Sequence, residues 1–513
     1  MKLILPPGLS SAQFERAMKA FAGVVGDDWV LRTDADRETY LDQYSPGLEE
    51  SHAPSAAIAP ASVEQVQAVL RIANEHHVPL WPISRGKNFG YGGAAPRMPG
   101  TVMLDLGRMD RIIEVNEKLG YCIVEPGVGF FDLYEYLKER RIRLQMGIPG
   151  NGWGSVVGNA LERGFSGMGD HSGNICGLEI VLPTGELVRT GMGAMAGAKA
   201  WPLFKHGFGP SWDQMIVQGN YAVVTKLCLW MRPEDEASIT VDVKLQKPGD
   251  LEWYVEATTP LRLRGVVDGL VRVTSYQASA TVPTLRSEWY QGRDSIPDDV
   301  IARMMQRYNV GWWNGPIRMQ GFADVCEANL KRVQDALARH TRQEFEVRRG
   351  PGNNQSGPST YPLQMVNWYG GRGGHIGYSP VMPADPRLVQ EQFERTRRRY
   401  LEFGLDYSGT FYIDGRSATN VNLILYSKDD AEQKQRVRKL FLALIEDAKQ
   451  QGYGEYRTHL SYMDDVAASY DFNAHALLKL NEKVKDALDP NGVLAPGRNG
   501  IWPKRYRDQR GKL

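Results

Sequence analysis

The stretch Trp81-Pro82-Ile83-Ser84-Arg85-Gly86-Lys87-Asn88-Phe89-Gly90-Tyr91-Gly92-Gly93 joins an apolar strand pattern to a turn that is dense in glycine. Glycine has no Cβ, so its backbone can approach a ligand closely, and successive amides in such a turn form an anion-binding nest. Arg85 and Lys87 add positive charge. The stretch predicts either a loop that holds a pyrophosphate or an ordinary tight turn, because glycine-rich loops are common. It matches neither GxGxxG nor GxxxxGK[ST], which disfavours the Rossmann and P-loop interpretations.

A second glycine-dense loop, Pro149–Asn159, follows later in the chain. Ser155 and Asn159 supply hydrogen-bonding groups there. Two such loops in one chain favour binding of a large cofactor over two coincidental turns.

Length and charge exclude several classes of protein. A chain of 513 residues exceeds one compact core, so two domains are expected. Lysine and arginine number 61 against 60 aspartates and glutamates, so the basic field typical of nucleic-acid binding is missing. No apolar run has membrane-spanning length, and Pro6-Pro7 interrupts the first apolar residues too early for a secretory signal. We expect a cytoplasmic protein that binds neither nucleic acid nor membrane.

The cysteines are four and widely spaced: Cys122, Cys176, Cys228 and Cys326. No CxxC pair indicates zinc or a redox dithiol, so no metal site is expected. Free thiols fit a reducing cytoplasm.

Hydrophobic periodicity predicts mixed secondary structure rather than a doubly wound parallel sheet. Ser62 and Gln65 predict a capping box at the start of one helix. The predicted helices are 11–24, 62–77, 130–140 and 474–488. The predicted strands are 54–60, 80–84, 102–106, 111–115, 121–125, 178–182, 187–189 and 221–231.

Five segments together resemble a known family: 86–97, 152–159, 189–194, 454–458 and 489–492. In this order they are similar to the vanillyl alcohol oxidase / p-cresol methylhydroxylase flavoproteins, and within that family to the bacterial eugenol oxidases. The likeness covers most of 80–235 and 365–505 and is weak in 240–360. It implies an α+β, two-domain FAD-linked oxidase fold. The FAD-binding domain then comprises 1–235 and a returning C-terminal segment 455–513, with an α+β substrate cap domain over 236–454.

The resemblance assigns FAD binding to both glycine loops and to three later residues. Those of the first loop are Ser84, Arg85, Gly86, Lys87, Asn88, Phe89 and Gly90. Those of the second loop and beyond are Pro149, Gly152, Gly154, Ser155, Asn159, Glu179, Val224 and Arg498.

His375 lies in Gly373-Gly374-His375-Ile376-Gly377. A histidine between glycines is sterically open, although by itself it is more typical of a structural histidine. The resemblance implies instead a covalent bond from His375 to the flavin 8α-methyl group. The p-cresol methylhydroxylases carry tyrosine there, so the histidine favours the oxidase branch of the family.

Tyr91, Tyr456 and Arg457 match the phenolate-binding trio of the family. Each alone is more typical of packing or surface. Two phenol hydroxyls and a guanidinium would stabilise a substrate phenolate by charge-assisted hydrogen bonds. The phenolate then favours hydride loss from the benzylic carbon to flavin N5, which leaves a para-quinone methide.

The sequence departs from the family at the acid that manages proton transfer. The family motif Pro-Asp-Leu-Gly is here Pro149-Gly150-Asn151-Gly152, so Gly150 replaces the acid, and Asn151 is no base near neutral pH. Both positions are expected to contact substrate. Met168 stands in a segment where the family has tyrosines, which implies a larger cavity.

A third departure replaces a paired-histidine strand by Thr419-Asn420. Tyr412 matches a cavity-lining position, and Tyr412 and Asn420 are expected to bind substrate. Asp414 is two residues beyond Tyr412 and so on the same strand face. We hypothesise that Asp414 is a relocated acid/base; a salt-bridged or solvated carboxylate is the alternative.

The resemblance therefore implies covalent-FAD oxidation of para-substituted phenols, with bulky lignin-derived aromatics as substrates and molecular oxygen as reoxidant. In one alternative, the quinone methide of a phenolic dimer loses formaldehyde to give a conjugated alkene. In others, a dehydrogenase passes electrons to a cytochrome, or the protein has a purely structural role. A homo-oligomer, dimer or higher, is expected.

Overall fold

The computed structural model describes residues 3–47, 49–352 and 357–512, which divide into two compact units. The first unit comprises 1–165, 170–233 and 459–513, and the second comprises 166–169 and 234–458. The predicted boundaries were 235/236 and 454/455. Tyr456 and Arg457, assigned from sequence to the returning C-terminal segment, therefore group with the second unit.

Helices and strands alternate along the chain. The helices are α1 Ser11–Val25, α2 Asp34–Glu38, α3 Val63–His76, α4 Phe130–Glu139, α5 Val156–Leu161, α6 Asp213–Ile216, α7 Asp250–Leu263, α8 Tyr276–Ala280, α9 Asp298–Tyr308, α10 Ala323–Leu337, α11 Pro386–Glu402, α12 Ala431–Gln450, α13 Met463–Ser469 and α14 Phe472–Leu488.

The strands of the first unit and its border are β1 Val30–Leu31, β2 Ala57–Ile58, β3 Leu80–Ile83, β4 Val102–Asp105, β5 Ile112–Asn116, β6 Tyr121–Val124, β7 Leu144–Gln145, β8 Phe165–Ser166, β9 Gly169–Asp170, β10 Ile175–Val181, β11 Leu187–Arg189, β12 Val223–Trp230 and β13 Arg232–Pro233. Those of the second unit are β14 Ala237–Leu245, β15 Val271–Ser275, β16 Trp313–Gly321, β17 Glu346–Pro351, β18 Gly373–Tyr378, β19 Pro380–Pro383, β20 Gly409–Ile413, β21 Ser417–Ser427 and β22 Gly454–Glu455.

The first unit contains two principal sheets. One has the order β1-β2-β4-β3, with β2, β4 and β3 parallel, and the other is antiparallel with the order β11-β10-β12-β6-β5. Helices α1 and α3 bury apolar stripes, including Phe14, Phe21, Val66 and Leu70, in one core with the first sheet. Most of the long elements lie within two residues of their predicted positions because this periodicity is strong, while β10 begins three residues before its predicted start. The predicted strand 54–60 shrinks to Ala57–Ile58.

Two local predictions need correction. Ser62 accepts from the Gln65 amide at 3.3 Å, but the Gln65 side chain accepts from the amide of Ala61 rather than that of Ser62. The reciprocal half of the capping box is therefore missing. In α14, residues 473–475 have left-handed backbone angles, so the regular helix begins after them.

A buried ion pair fixes the turn after α14 against the strand that leads into the first glycine loop. Lys485 Nζ lies 2.7 Å from Asp489 and donates to the carbonyls of Asn220 and Leu494, both at 2.6 Å. Asp489 in turn accepts from the amide of Leu494, which forms a parallel bridge with Leu80. Burial lowers the pKa of Lys485, and Asp489 opposes this shift.

The second unit is built on one large sheet with the path β17-β14-β16-β15-β20-β21-β19-β22, and β18 also pairs with β21. Helices α7, α10, α11 and α12 pack on one face, where Trp313, Ile317 and Phe411 are buried. We call this the helix-covered face. The opposite face carries the alternate residues, for example Thr419 and Val421.

In the described part of the chain, no helix combines the length and apolar character needed to cross a membrane. The four cysteines are free, as predicted, and all four are buried.

Replacing Lys485 with Met should destabilise the first unit by about 3–5 kcal/mol, because Asp489 remains buried without its charge partner. Thermal melting of Lys485→Met against Lys483→Met, an exposed position on the same helix, measures the effect. Equal melting temperatures would contradict the role given to the ion pair.

Candidate active site

The first glycine loop owes its glycines to backbone geometry and close packing. Gly86, Gly90, Gly92 and Gly93 all have positive φ, between 58° and 112°. A Cβ on Gly92 would lie 2.0 Å from Leu460 Cδ2, and one on Gly86 would lie 2.9 Å from the Ala94 Cβ. The loop thus adopts a conformation that side chains would strain.

Several backbone amides of this loop indicate a site for an anionic ligand. Tyr91 and Gly93 donate to the carbonyl of Asn88 at 3.1 and 3.0 Å. Among the described residues, however, the amides of Gly86, Lys87, Phe89 and Gly90 find no acceptor. Backbone donors clustered in this way form a nest for phosphate oxygens.

The second loop lies directly against the first. The Asn151 side chain donates to the carbonyl of Lys87 at 2.8 Å, and a Cβ on Gly158 would lie 2.4 Å from Ser84 Oγ. Ser155 caps α5 by accepting from the Gly158 amide at 3.1 Å. The two loops therefore form one surface within the first unit, and its unbonded amides suit an anionic ligand.

The contacts of Arg85 correct the sequence inference that it adds positive charge to the loop. Its guanidinium forms an ion pair with Asp132 and donates to the carbonyl of Gly127 at 3.3 Å. Because Asp132 neutralises it, the cation that the loop itself exposes is Lys87.

Other side chains assigned to FAD have partners inside the first unit. Asn159 Oδ1 lies 2.6 Å from His171 Nδ1, and burial lowers the pKa of His171 to about 4, so this ring is neutral and donates. Buried Glu179 binds Lys226 Nζ at 2.6 Å and Arg189 Nε at 2.8 Å. These contacts favour structural roles for both side chains.

Arg498 forms an ion pair with Glu162, and its guanidinium lies 5.5 Å from the centre of the Trp81 ring. Burial lowers the pKa of Arg498 to about 10. Val224 is buried in β12. Pro149, Gly152 and Gly154 lie on the second loop.

In the second unit, His375 is the third residue of β18 and pairs with Leu425 of β21. Paired residues share a face, so His375 lies on the opposite face, together with Leu425. The neighbouring glycines have a packing reason: a Cβ on Gly373 would lie 1.7 Å from the Val366 carbonyl, and one on Gly374 would lie 3.1 Å from the Tyr426 ring. Packing within the second unit thus gives these glycines a role besides keeping the histidine open.

Tyr412 and Asn420 lie on different faces of this sheet. Tyr412 pairs with Thr419, which shares the opposite face with His375. Asn420 pairs with Phe411, has 0% of its surface exposed and accepts from the Asn422 side chain at 2.9 Å on the helix-covered face. The substrate-binding role predicted for Asn420 is thus corrected, and Thr419 takes its place beside Tyr412.

Asp414 lies in the turn after β20, and 53% of its side chain is exposed. Its Oδ1 accepts from Arg262 at 2.8 Å. The geometry favours the alternative interpretation, a salt-bridged surface residue, over the proposed acid/base.

Residues Tyr456 and Arg457 directly follow the short strand β22. Gly454 pairs with Val381, and the Tyr456 amide donates to the Ser379 carbonyl at 3.5 Å. Because Val381 pairs with Thr419, Gly454 and Tyr456 lie on the opposite face, the same face as His375.

Glu455, between Gly454 and Tyr456, lies on the helix-covered face, and 6% of its surface is exposed. Its Oε1 accepts from the Ser379 amide at 3.1 Å. Burial raises the pKa of this carboxyl well above its usual value, and the Ser379 bond offsets only part of the shift. Glu455 was not found from sequence, since its burial depends on long-range strand pairing.

The remaining predicted substrate positions fall on two loops. Gly150 and Asn151 belong to the first unit, where the Asn151 amide group is bound to the Lys87 carbonyl. Met168 belongs to the second unit; its amide donates to Ser166 Oγ at 3.1 Å. Tyr91, the remaining member of the predicted trio, is on the first glycine loop.

Comparison with known proteins identifies the class. A model described as an FAD binding domain matches residues 54–191, and one for the C-terminal domain of FAD linked oxidases matches 356–499. The 4-cresol dehydrogenase (hydroxylating) flavoprotein subunit of Pseudomonas putida is 33% identical, over 97% of this chain and 98% of its own. The 1'-carboxy-chondrochloren decarboxylase of Chondromyces crocatus is 27% identical, over 96% and 99%.

Two solved structures have the same fold. The 4-ethylphenol oxidase of Gulosibacter chungangensis matches with a TM-score of 0.94 at 32% identity, over 98% of this chain and 100% of its own. The p-cresol methylhydroxylase matches with a TM-score of 0.93 at 33% identity, over 97% and 99%. The chain belongs to the vanillyl alcohol oxidase / p-cresol methylhydroxylase flavoprotein family. The predicted α+β two-domain fold, FAD as cofactor and an oxidoreductase activity are confirmed.

Glu455 should make stability depend on pH. Its stabilisation is complete below the ordinary pKa of 4.5 and is lost as pH rises through the raised folded-state pKa. Glu455→Gln, a neutral isostere, should therefore become more stable than wild type as pH rises above 4.5, by on the order of 1–3 kcal/mol in the free energy of unfolding. Melting curves recorded across pH measure this, with exposed Glu38→Gln as the control, and parallel pH curves for Glu455→Gln and wild type would refute a raised pKa at Glu455.

Proposed function

We propose that this chain oxidises para-alkylated phenols, including bulky lignin-derived aromatics, by removing hydride from the benzylic carbon. One observation carries the proposal: Tyr456 and His375 lie on the same face of the second unit's sheet. The family resemblance implies that Tyr456 holds the phenolate and that His375 holds the flavin. The phenol-oxidising relatives support the same substrate class.

The protein's part in this reaction is to hold the substrate oxygen as a phenolate. The Tyr456 hydroxyl and the Arg457 guanidinium would donate charge-assisted hydrogen bonds to it, with Tyr91 as the third donor that the resemblance assigns. Negative charge on the oxygen raises electron density at the para carbon, so hydride departure leaves a para-quinone methide. Donors in a site of low polarity stabilise this charge more than water does.

Bound FAD supplies the hydride acceptor. The backbone nest of the first glycine loop suits its diphosphate, and we propose His375 as the residue bonded to the 8α-methyl group. The imidazole lies in a strand paired along its full length with β21, which limits its movement. Covalent attachment would raise the potential of the cofactor.

The fate of the quinone methide separates two outcomes. Gly150 has no side chain, Asn151 is engaged with Lys87, and Asp414 is paired at the surface. Without a carboxylate at these positions, base-assisted water addition is disfavoured. A substrate whose β-carbon bears CH2OH would then lose formaldehyde and give a conjugated alkene. One relative, 27% identical, is named as a decarboxylase, and a decarboxylation also removes carbon from its substrate. Formaldehyde assays with phenolic dimers test this alternative, and oxidation with every carbon retained would reject it.

Oxygen as the electron acceptor, a cytochrome as its alternative, a homo-oligomer and a cytoplasmic location remain predictions. Oxygen consumption during turnover of 4-ethylphenol separates the two acceptors. Flavin reduction by this phenol without oxygen tests the proposed function itself.

Arg457→Met should slow anaerobic flavin bleaching by 4-ethylphenol about 100-fold, because one donor to the developing charge is lost. Arg438→Met removes an exposed arginine of the same unit and serves as the matched control. Equal bleaching rates in Arg457→Met and wild type would rule out phenolate binding by this residue.

His375→Ala should release its flavin when the protein is precipitated with acid, whereas wild type should keep the yellow chromophore in the pellet. Absorbance near 450 nm, a property of the oxidised ring system, measures both fractions. Retention of flavin by the variant would disprove attachment at His375.

A further inference from the structure

Two arginines stand on the opposite face of the second unit's sheet, beside Tyr412. Arg272 on β15 pairs directly with Tyr412, which pairs with Thr419. Arg318 is on the next strand, β16, and shares this face because Asn314 of β16 pairs with Thr274 of β15. The two guanidinium groups therefore extend from neighbouring strands on one side of the sheet.

Neither guanidinium is neutralised locally. Within residues 3–47, 49–352 and 357–512, the side chains of Arg272 and Arg318 form no ion pair and no hydrogen bond. The nearby acid Asp242 is already bound by Arg348, which donates to its Oδ1 at 2.9 Å. Burial and the charges of Arg272 and Arg348 lower the pKa of Arg318, and Asp242 opposes this only in part.

Three other arginines of this unit are neutralised. Arg262, Arg348 and Arg349 each bind a carboxylate, from Asp414, Asp242 and Glu327 respectively. Arg272 and Arg318 differ from these three in being unpaired and adjacent, and two adjacent unpaired guanidinium groups are suited to an external anion, for which arginine offers fork-shaped donors.

Strand spacing gives the distance from these arginines to the proposed phenolate site. From β22, which leads into Tyr456, the path β19, β21, β20 reaches β15 in four steps. Neighbouring strands lie about 4.8 Å apart, so Tyr456 and Arg272 are separated across the sheet by ~19 Å. The side chains of Tyr456 and Arg272 take up part of this distance, and the remainder leaves room for a ligand of about two aromatic rings.

We propose that Arg272 and Arg318 bind a carboxylate at the end of the substrate farthest from its phenol, so that the preferred substrates are phenolic acids of about two rings. The inference rests on the proposed function and narrows its substrate class. Tyr412 and Thr419 line the face between the two ends. The anion would fix the length and the direction of the substrate along the sheet.

Binding of two matched ligands tests the proposal on the FAD-loaded enzyme. The probes are 4'-hydroxybiphenyl-4-carboxylate and its methyl ester, which lack a benzylic C–H and cannot be oxidised. Dissociation constants follow from perturbation of the flavin spectrum. Wild type should bind the acid more tightly than the ester, and the preference should weaken with added salt.

In the double variant Arg272→Met/Arg318→Met, the acid-to-ester preference should fall about five- to tenfold, the range of an accessible charge-assisted contact. Arg349→Met, on the helix-covered face of the same sheet, should keep the wild-type preference. An unchanged preference in the double variant, or none in wild type, would overturn the carboxylate site while leaving phenol oxidation intact. Failure of both ligands to perturb the flavin of wild type would instead count against the proposed function.

Discussion

The register of strand Ser417–Ser427 determines the chemistry available to the second unit. This strand pairs with β18, β19 and β20, and its alternate residues set which neighbours share a face. A shift of this strand by one residue would move its own side chains to the other face. Thr419 and Leu425 would then face the helices, and Asn420 would lie on the side of Tyr412. The buried aromatic residues under the helices, among them Trp313 and Phe411, resist such a shift.

The first unit presents backbone donors, which we propose hold an anionic cofactor. Its glycine loop leaves amides unbonded, and the second loop supports it through Asn151 and Gly158. The buried Lys485–Asp489 pair holds the C-terminal turn against the strand that enters this loop. Residues far apart in sequence thereby stabilise one short nest.

Sequence patterns located much of this architecture but not all of the side-chain roles. Helix Ser11–Val25 and strand Leu80–Ile83 were found because their apolar periodicity and turn residues are strong local signals. Asn420 was assigned to substrate binding from the family resemblance, and only the long-range pairing of its strand places it on the helix-covered face. The pairing of Arg85 with Asp132 and of Arg262 with Asp414 joins distant segments that no local pattern connects. Arg272 and Glu455 escaped notice for the same reason.

Ionisation of the substrate oxygen is the central claim, and a pair of probes tests it directly. Anaerobic stopped-flow reduction of the flavin would compare 4-ethylphenol with 4-ethylanisole, its methyl ether, which has the same benzylic carbon but cannot form a phenolate. The account predicts rapid bleaching by the phenol and none by the ether. Comparable bleaching by both would contradict it.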